Sequence, residues 1–439
     1  KGVKIMNLQD RKGITLVALA VTITVLIILA TISINGIIGE NGLAEQAKKI
    51  EKIQEDKISN REAQTNEIEG KYENTMTSTT IPSNPSTGPN GKPLVTVLTA
   101  RQTNTVIAED ELGKQVVVPA NFKVRADLAK KVDEGIVIED KLGNQFVWVP
   151  CTTTGEEGLI SYAQDKQYND GTTSNNQNNY KKYLDWTDVG NITSVEKYKG
   201  FYVARYEAGI PESANFYADK SGDTYYTATT TTSKNVTTYI PVSKPGVPCW
   251  NHINQENAVI VSANMYQNSM SVDSSLIDSY AWDTIVNWIA SSGLSVVDST
   301  NYGNYKDSTL TSDGLYAEHV YSGTKLTTPA TNYQKGNITL GRVEESSGEY
   351  IYKEIATGTA KETKVKNIYD MAGNMWEWTT ETGYHKQSDG TVRSAKYSTL
   401  RGGSFYSGWY GAISNRDGGV LATAAGNPNV GFRVVLYIK

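Results

Sequence analysis

The 439-residue chain has few side chains suited to nucleophilic, redox or transition-metal chemistry: two cysteines, Cys151 and Cys249, and three histidines, His252, His319 and His385. Thiolate chemistry needs an activating neighbour, and imidazole metal sites need paired spacing. The histidines are scattered without such pairing, and isolated histidines usually serve as surface or packing residues. The cysteines lie far apart and fit either one disulfide or two buried free thiols. Tyrosine is the abundant functional side chain, with 27 Tyr against 6 Phe and 8 Trp. It joins a large, rigid contact area to a polar tip and is frequent where proteins bind other molecules. Between Phe405 and Asn429 stand Tyr406, Ser407, Gly408, Trp409, Tyr410, Ser414, Asn415, Asp417, Thr423 and Asn427, the mixture that binding loops favour. Lys and Arg number 42 against 47 Asp and Glu, a net charge of −5. No basic excess exists to displace counterions, so nucleic acid is not an expected partner.

Periodicity and punctuation give the elements that must position these residues. Gln145-Phe146-Val147-Trp148-Val149-Pro150 and Gly200-Phe201-Tyr202-Val203-Ala204-Arg205-Tyr206-Glu207 read as buried strands. Residues 94–140 hold short alternating segments divided by Gly and Pro, either a small β unit or the opening strands of the next domain. Residues 161–191, rich in Asn, Tyr and Gln, read as a surface insertion. A helix with an imperfect apolar stripe is predicted over 252–266. A second is capped by Asp273 or Ser274, carries Ile277, Ala281, Ile285, Trp288 and Ile289 on one face, and ends at Gly293. Residues 299–362 read as polar loops with a few strands.

Three blocks close the chain: Asn367-Ile368-Tyr369-Asp370-Met371-Ala372-Gly373-Asn374-Met375-Trp376-Glu377-Trp378, Leu400-Arg401-Gly402-Gly403-Ser404-Phe405 and Gly431-Phe432-Arg433-Val434-Val435. Together they resemble the formylglycine-generating-enzyme-like branch of the C-type lectin fold, with the two buried strands and the Trp282/Trp288 helix in matching order. The resemblance covers residues 135–439. Enzymes of that family use a cysteine pair that binds copper and activates oxygen. The matching positions here hold Ser407 and Ala412, which supply no thiolate, so the expectation is a protein that is not an enzyme. The resemblance also implies a structural Ca²⁺ held by the side chains of Asp370 and Glu377 and the carbonyls of Gly373 and Met375. A loop tied by carboxylate-to-backbone hydrogen bonds, with Trp376 and Trp378 in the core, is the open alternative.

The segment between the last two blocks resembles the variable region of diversity-generating retroelement variable proteins, here residues 401–435; an ordinary Gly-rich loop of the fold is the alternative. The expected contacts are Tyr406, Ser407, Trp409, Tyr410, Ser414, Asn415 and Asp417, with Asn427 and Asn429 at the rim, for a protein or glycan ligand.

At the other end, residues 14–39 carry no charge. Twenty-six helical residues at ~1.5 Å each would span about 39 Å, against a hydrocarbon core of ~30 Å. Lys1, Lys4, Arg11 and Lys12 precede them, which places the N-terminus in the cytoplasm. A cleaved signal peptide is the alternative, although no small-x-small site follows the run. Arg11-Lys12-Gly13-Ile14-Thr15-Leu16 resembles the prepilin leader of type IV pilins and pseudopilins, which implies cleavage between Gly13 and Ile14 and other pilin-like subunits as partners. Ala18 stands where that family usually has Glu.

The expected order is a leader (1–13), a transmembrane and extended helix (14–73), a Pro/Ser/Thr/Gly linker (74–93), a small β unit (94–140) and a lectin-fold domain (141–439), an α+β chain. The expected function is non-catalytic ligand binding by an adhesin-like protein. Its expected place is the bacterial cell surface, anchored in the cytoplasmic membrane with the C-terminal domain outside. A minor pilin or pseudopilin subunit with a tip domain, and an oxidase with a rebuilt site, are the alternatives.

Overall fold

Two hairpins of one repeated sequence pattern open the folded chain. The first joins β1 (Val106–Glu109) to β2 (Gln115–Val118). After the short β3 (Lys123–Val124), the second joins β4 (Val137–Glu139) to β5 (Gln145–Thr152). Each turn reads Asp-x-Leu-Gly-x, from Asp110 and from Asp140. The Asp110 carboxylate accepts the N–H groups of Leu112 and Lys114, both at 2.9 Å. Asp140 does the same for Leu142 and Asn144, both at 2.8 Å. Gly113 and Gly143 take φ of +79° and +85°, a conformation costly for any residue with a Cβ. The first hairpin remains a two-stranded sheet, whereas β3 and β4 join the main one.

The computed structural model describes residues 87–164, 183–211, 238–328, 333–346, 348–386, 391–408, 411–421 and 427–439. All of these lie in the compact unit Asn84–Lys439. The chain continues through β6 (Ile160–Ser161), β7 (Tyr183–Thr187), α1 (Ile192–Tyr198) and β8 (Gly200–Ala204). Then come α2 (Gln255–Asn264), β9 (Val272–Leu276) and α3 (Ser279–Ala290).

The main sheet runs β3-β4-β5-β8, then the last strand β19 (Val434–Ile438), then β9, with β6 on β5. Alternation along β5, β8 and β19 builds a core on each face. Phe146, Trp148, Tyr202 and Leu436 point into one, which α2 covers with Ala258 and Val261. Val147, Val149, Phe201, Val203 and Val435 point into the other, covered by Trp282, Ile285 and Ile289 of α3. Each such side chain stabilises by roughly 1.5–3 kcal/mol on burial, which accounts for strands apolar at nearly every position.

The stretch read as polar loops with a few strands is a five-stranded sheet: β10 (Thr311–Ser322), β11 (Lys325–Thr328), β12 (Gln334–Thr339), β13 (Val343–Ser346) and β14 (Glu349–Ile355), with β10 paired to β11, β12 and β14. A further sheet holds β15 (Trp376–Lys386), β16 (Val392–Arg401), β17 (Arg416–Leu421) and β18 (Val430–Phe432), with β7 on β15.

The structure corrects three expectations. Asp273 and Ser274 are not helix caps: they lie in β9, where Val272, Ser274 and Leu276 alternate inward, and Asp278 caps α3 instead. The fold class of the described residues is not α+β. Their regular structure is mostly strand, with three α-helices, because β-branched and aromatic residues alternate through many of these segments. The membrane partner and the membrane-anchored surface location are corrected too, as far as the described residues reach. Among the described residues no helix is long and apolar enough to cross a membrane. The longest of them, α3, has 12 residues, about 18 Å against a ~30 Å core. The predicted leader with Gly13 and Ile14, the 14–73 helix and most of the linker lie outside the described residues.

Candidate functional site

β16 ends at Arg401, and Gly402 and Gly403 follow with φ of +89° and +74°. A Cβ on Gly403 would stand 1.9 Å from the carbonyl oxygen of Gly411, so the two ends of this loop touch only because neither position has a side chain. Ser407 turns back on Ser404: its hydroxyl accepts the Ser404 N–H at 3.1 Å and lies 3.3 Å from the Ser404 hydroxyl. Asn429 closes the loop from its far side, donating from Nδ2 to Ser404 Oγ at 3.2 Å.

The floor under the loop is aromatic. Phe405 stacks on His319 at 4.9 Å, and His319 pairs with Glu354 at 2.9 Å. Tyr406 stacks on Tyr321 at 4.4 Å and leans on Tyr352 at 4.8 Å. His319, Tyr321, Tyr352 and Glu354 were not expected here; the signal lies in the alternations His319-x-Tyr321 and Tyr352-x-Glu354, which meet where His319 stands opposite Tyr352 across β10 and β14.

Three buried ion pairs fix the segment to elements outside it. Arg401 binds Asp283 of α3 at 2.6 Å, Arg416 binds Glu381 of β15 at 2.6 Å, and Arg433 binds Glu377 at 2.6 Å. Arg401 also donates from Nε to the Asn415 carbonyl at 3.0 Å.

The expected contact residues separate within this frame. Tyr406, Asp417 and Asn429 are half-buried and Asn427 is exposed. Ser407, Ser414 and Asn415 are buried and hold the loop: Lys306 N–H donates to the Ser407 carbonyl, Ser414 N–H to Val296, and Arg416 N–H to Asn415 Oδ1. Trp409 and Tyr410 lie outside the described residues. Trp378 is core, whereas Trp376 is half-buried and its N–H donates to the Asn429 carbonyl at 2.9 Å.

The two carboxylates expected to hold calcium already have protein donors. Asp370 accepts the Thr363 hydroxyl at 2.7 Å and the Gly358 N–H at 2.8 Å. Both oxygens of Glu377 accept from Arg433 Nε, at 3.1 and 3.0 Å. Arg433 Nη2 also donates to the carbonyls of Tyr369 and Asp370, at 3.0 and 3.2 Å. Gly373 and Met375 are fastened through their N–H groups, to Gly402 O at 2.9 Å and to Glu207 Oε1 at 3.0 Å. Among the described residues no group of three or more His, Cys, Asp or Glu could hold a metal. The cation paired with Glu377 is the Arg433 guanidinium, and the donor set does not fit calcium beside it.

Both cysteines are free and buried. Cys249 donates to Glu207 Oε2 at 3.1 Å; burial, then the Glu207 charge, push its thiol well up. Burial, then the charge of Asp278, does the same to Cys151. Neither is a ready thiolate. Ser407 and Ala412, at the positions of the resembled cysteine pair, are buried too.

Comparison with known proteins supports one part of the C-terminal reading, the formylglycine-generating-enzyme-like resemblance, over residues 295–438. No curated protein matches the chain. Among solved structures the crystal structure of CarF aligns with 55% of this chain and 87% of its own at 12% identity and a TM-score of 0.31, too low to argue from. The model of the sulfatase-modifying factor enzyme 1-like domain matches residues 295–438, which include the β10–β14 sheet, the Arg433 loop and the whole 401–435 segment. Residues 295–438 are thus a sulfatase-modifying factor enzyme 1-like domain.

Proposed function

We propose that this domain binds a protein or glycan ligand through its C-terminal segment and does no chemistry on it. The observation that carries the reading is the state of Ser407 and Ala412: one hydroxyl tied into the Ser404 turn and one methyl, both buried, where the resembled enzymes hold thiols. Copper-dependent oxygen activation has no soft ligand there. The segment is also fastened by ion pairs whose carboxylates all lie outside it. Its tips can therefore change while its ends stay fixed, as a variable region of a diversity-generating retroelement requires, and we read 401–435 as such a region. In that reading Tyr406, Trp409, Tyr410, Asp417, Asn427 and Asn429 make the contacts, and Ser407, Ser414 and Asn415 shape the loop.

The neighbouring DNA tests the diversification. A near-copy of the codons for 401–435, differing only at adenines and lying beside a reverse-transcriptase gene, is the expected finding; a genome without any such copy refutes it. For binding, hits of the wild-type domain on glycan and protein arrays should vanish with Trp409→Ala/Tyr410→Ala. Turnover of a cysteine-containing peptide in the presence of copper would replace the whole reading with an oxidase.

A further inference from the structure

The start of α3 gathers two carboxylates and no base. Asp278 caps the helix, accepting the Ala281 N–H at 2.8 Å. It also takes the Tyr437 hydroxyl from β19, and the Tyr162 hydroxyl approaches its two oxygens at 3.2 and 3.3 Å. Tyr162 in turn accepts the Asn191 N–H at 3.0 Å and lies 2.7 Å from the Tyr437 oxygen. Asp188 reaches the same place from the β7–α1 connection: its Oδ2 accepts the Ser279 N–H and its Oδ1 the Thr380 hydroxyl, both at 2.6 Å. The two carboxylates thereby fasten residues 188–191 to α3, β15 and β19. Beside them runs a cleft of about 810 Å³, lined by Asp188, Val189, Asn191, Ser275, Asp278 and Thr382 among others.

The charged neighbours are all engaged elsewhere. Asp273 of β9 pairs with Lys439 at 2.9 Å, Glu381 of β15 with Arg416, and Asp283 of α3 with Arg401. From β5 comes the buried Cys151 thiol, and from beside β6 and from β19 the hydroxyls of Tyr162 and Tyr437. Among the described residues neither Asp188 nor Asp278 has an ion-pair partner.

We propose that Asp188 and Asp278 form a proton-operated latch: with one carboxyl protonated, residues 188–191 close on α3, and with both ionised their mutual repulsion loosens that contact and widens the cleft. The working range is near neutral. Burial, then the Asp188 charge, push the Asp278 carboxyl up to about 7, and burial raises Asp188 as well. The folded state thus keeps a proton that an unfolded aspartate gives up near ~3.9. The latch's contribution is complete below that value and is lost as pH rises through about 7.

Amide hydrogen exchange of the full chain, corrected for intrinsic rates, reads this out at Ser279, Ala281 and Asn191. Protection there should fall at least about tenfold between pH 6 and 8.5, while the amides of β5 and β8 stay unchanged. Asp188→Asn, which removes the charge, keeps one acceptor oxygen and leaves the Asp278 helix cap in place, should remove the step; so should Asp278→Asn. Flat protection in the wild type overturns the latch, as does a step that survives in Asp188→Asn. If Asp278→Asn fails to fold, the wild type and Asp188→Asn decide between them.

Discussion

Replacing Arg433 by Met removes the guanidinium that pairs with Glu377, at nearly constant volume. The guanidinium is fully buried and makes three contacts with Glu377, at 3.1, 3.0 and 2.6 Å. It also donates to the carbonyls of Ala204, Tyr369 and Asp370, at 3.1, 3.0 and 3.2 Å. Breaking a buried pair from one side costs about 3–5 kcal/mol, because the partner is left unpaired. Three stripped carbonyls push this towards the upper end, a large part of a domain stability of ~5–15 kcal/mol. Burial already holds the Glu377 carboxyl above its ordinary range, and Arg433 is what pulls it back. Without Arg433 the carboxyl rises further and takes up a proton. The penalty should therefore be smallest in mild acid and grow as pH rises towards 8. Glu377→Gln keeps an acceptor and should cost less, about 1.5–3 kcal/mol, and little more in the Arg433→Met background. Urea unfolding of the two single variants and the double variant, followed by tryptophan fluorescence, measures the cycle. A loss below about 1 kcal/mol in Arg433→Met, or additive single effects, refutes the reasoning. So does a wild-type midpoint that falls with EDTA and returns with calcium, which would put a metal where Arg433 has been placed.

Two other outcomes can be checked on the same material. Gly403→Ala forces a Cβ against the Gly411 carbonyl at φ of +74° and should cost about 2–4 kcal/mol in urea unfolding. Gly246→Ala, at φ of +70° but with nothing within 4 Å of the new Cβ, should cost only about 1–2 kcal/mol; equal losses would mean that the loop ends do not touch. Cys151 and Cys249 should resist a thiol reagent at pH 8 in the native protein and both react after denaturation; a fast native thiol would contradict their burial.

The parts of the fold legible in the sequence are those where one rule acts alone. β5 and β8 announce themselves because both faces are apolar, and α3 because Ala281, Ile285, Trp288 and Ile289 recur at helical spacing. The helix start was missed because two acidic or hydroxylated candidates precede it. Only the pairing of β9 with β19 shows that Ser274 belongs to a strand and that Asp278 is the cap. The β10–β14 sheet was missed for a different reason: along β12 the burial runs mostly exposed, so no apolar alternation marks it, and its order comes from pairing with β10.

The contact residues expose the limit most sharply. Composition treats Ser407, Ser414 and Asn415 as surface groups, since free polar side chains prefer water. That preference reverses once the loop's own backbone supplies the partners. Ser404 N–H satisfies the Ser407 hydroxyl, Arg416 N–H satisfies Asn415 Oδ1, and the Asn415 carbonyl satisfies Arg401. A polar loop can therefore be half scaffold, and its composition cannot say which half. The division follows from the contacts: Ser404 holds Ser407, Arg401 and Arg416 hold Ser414 and Asn415, and Tyr406, Asp417, Asn427 and Asn429 keep the exposure that the proposed binding would use.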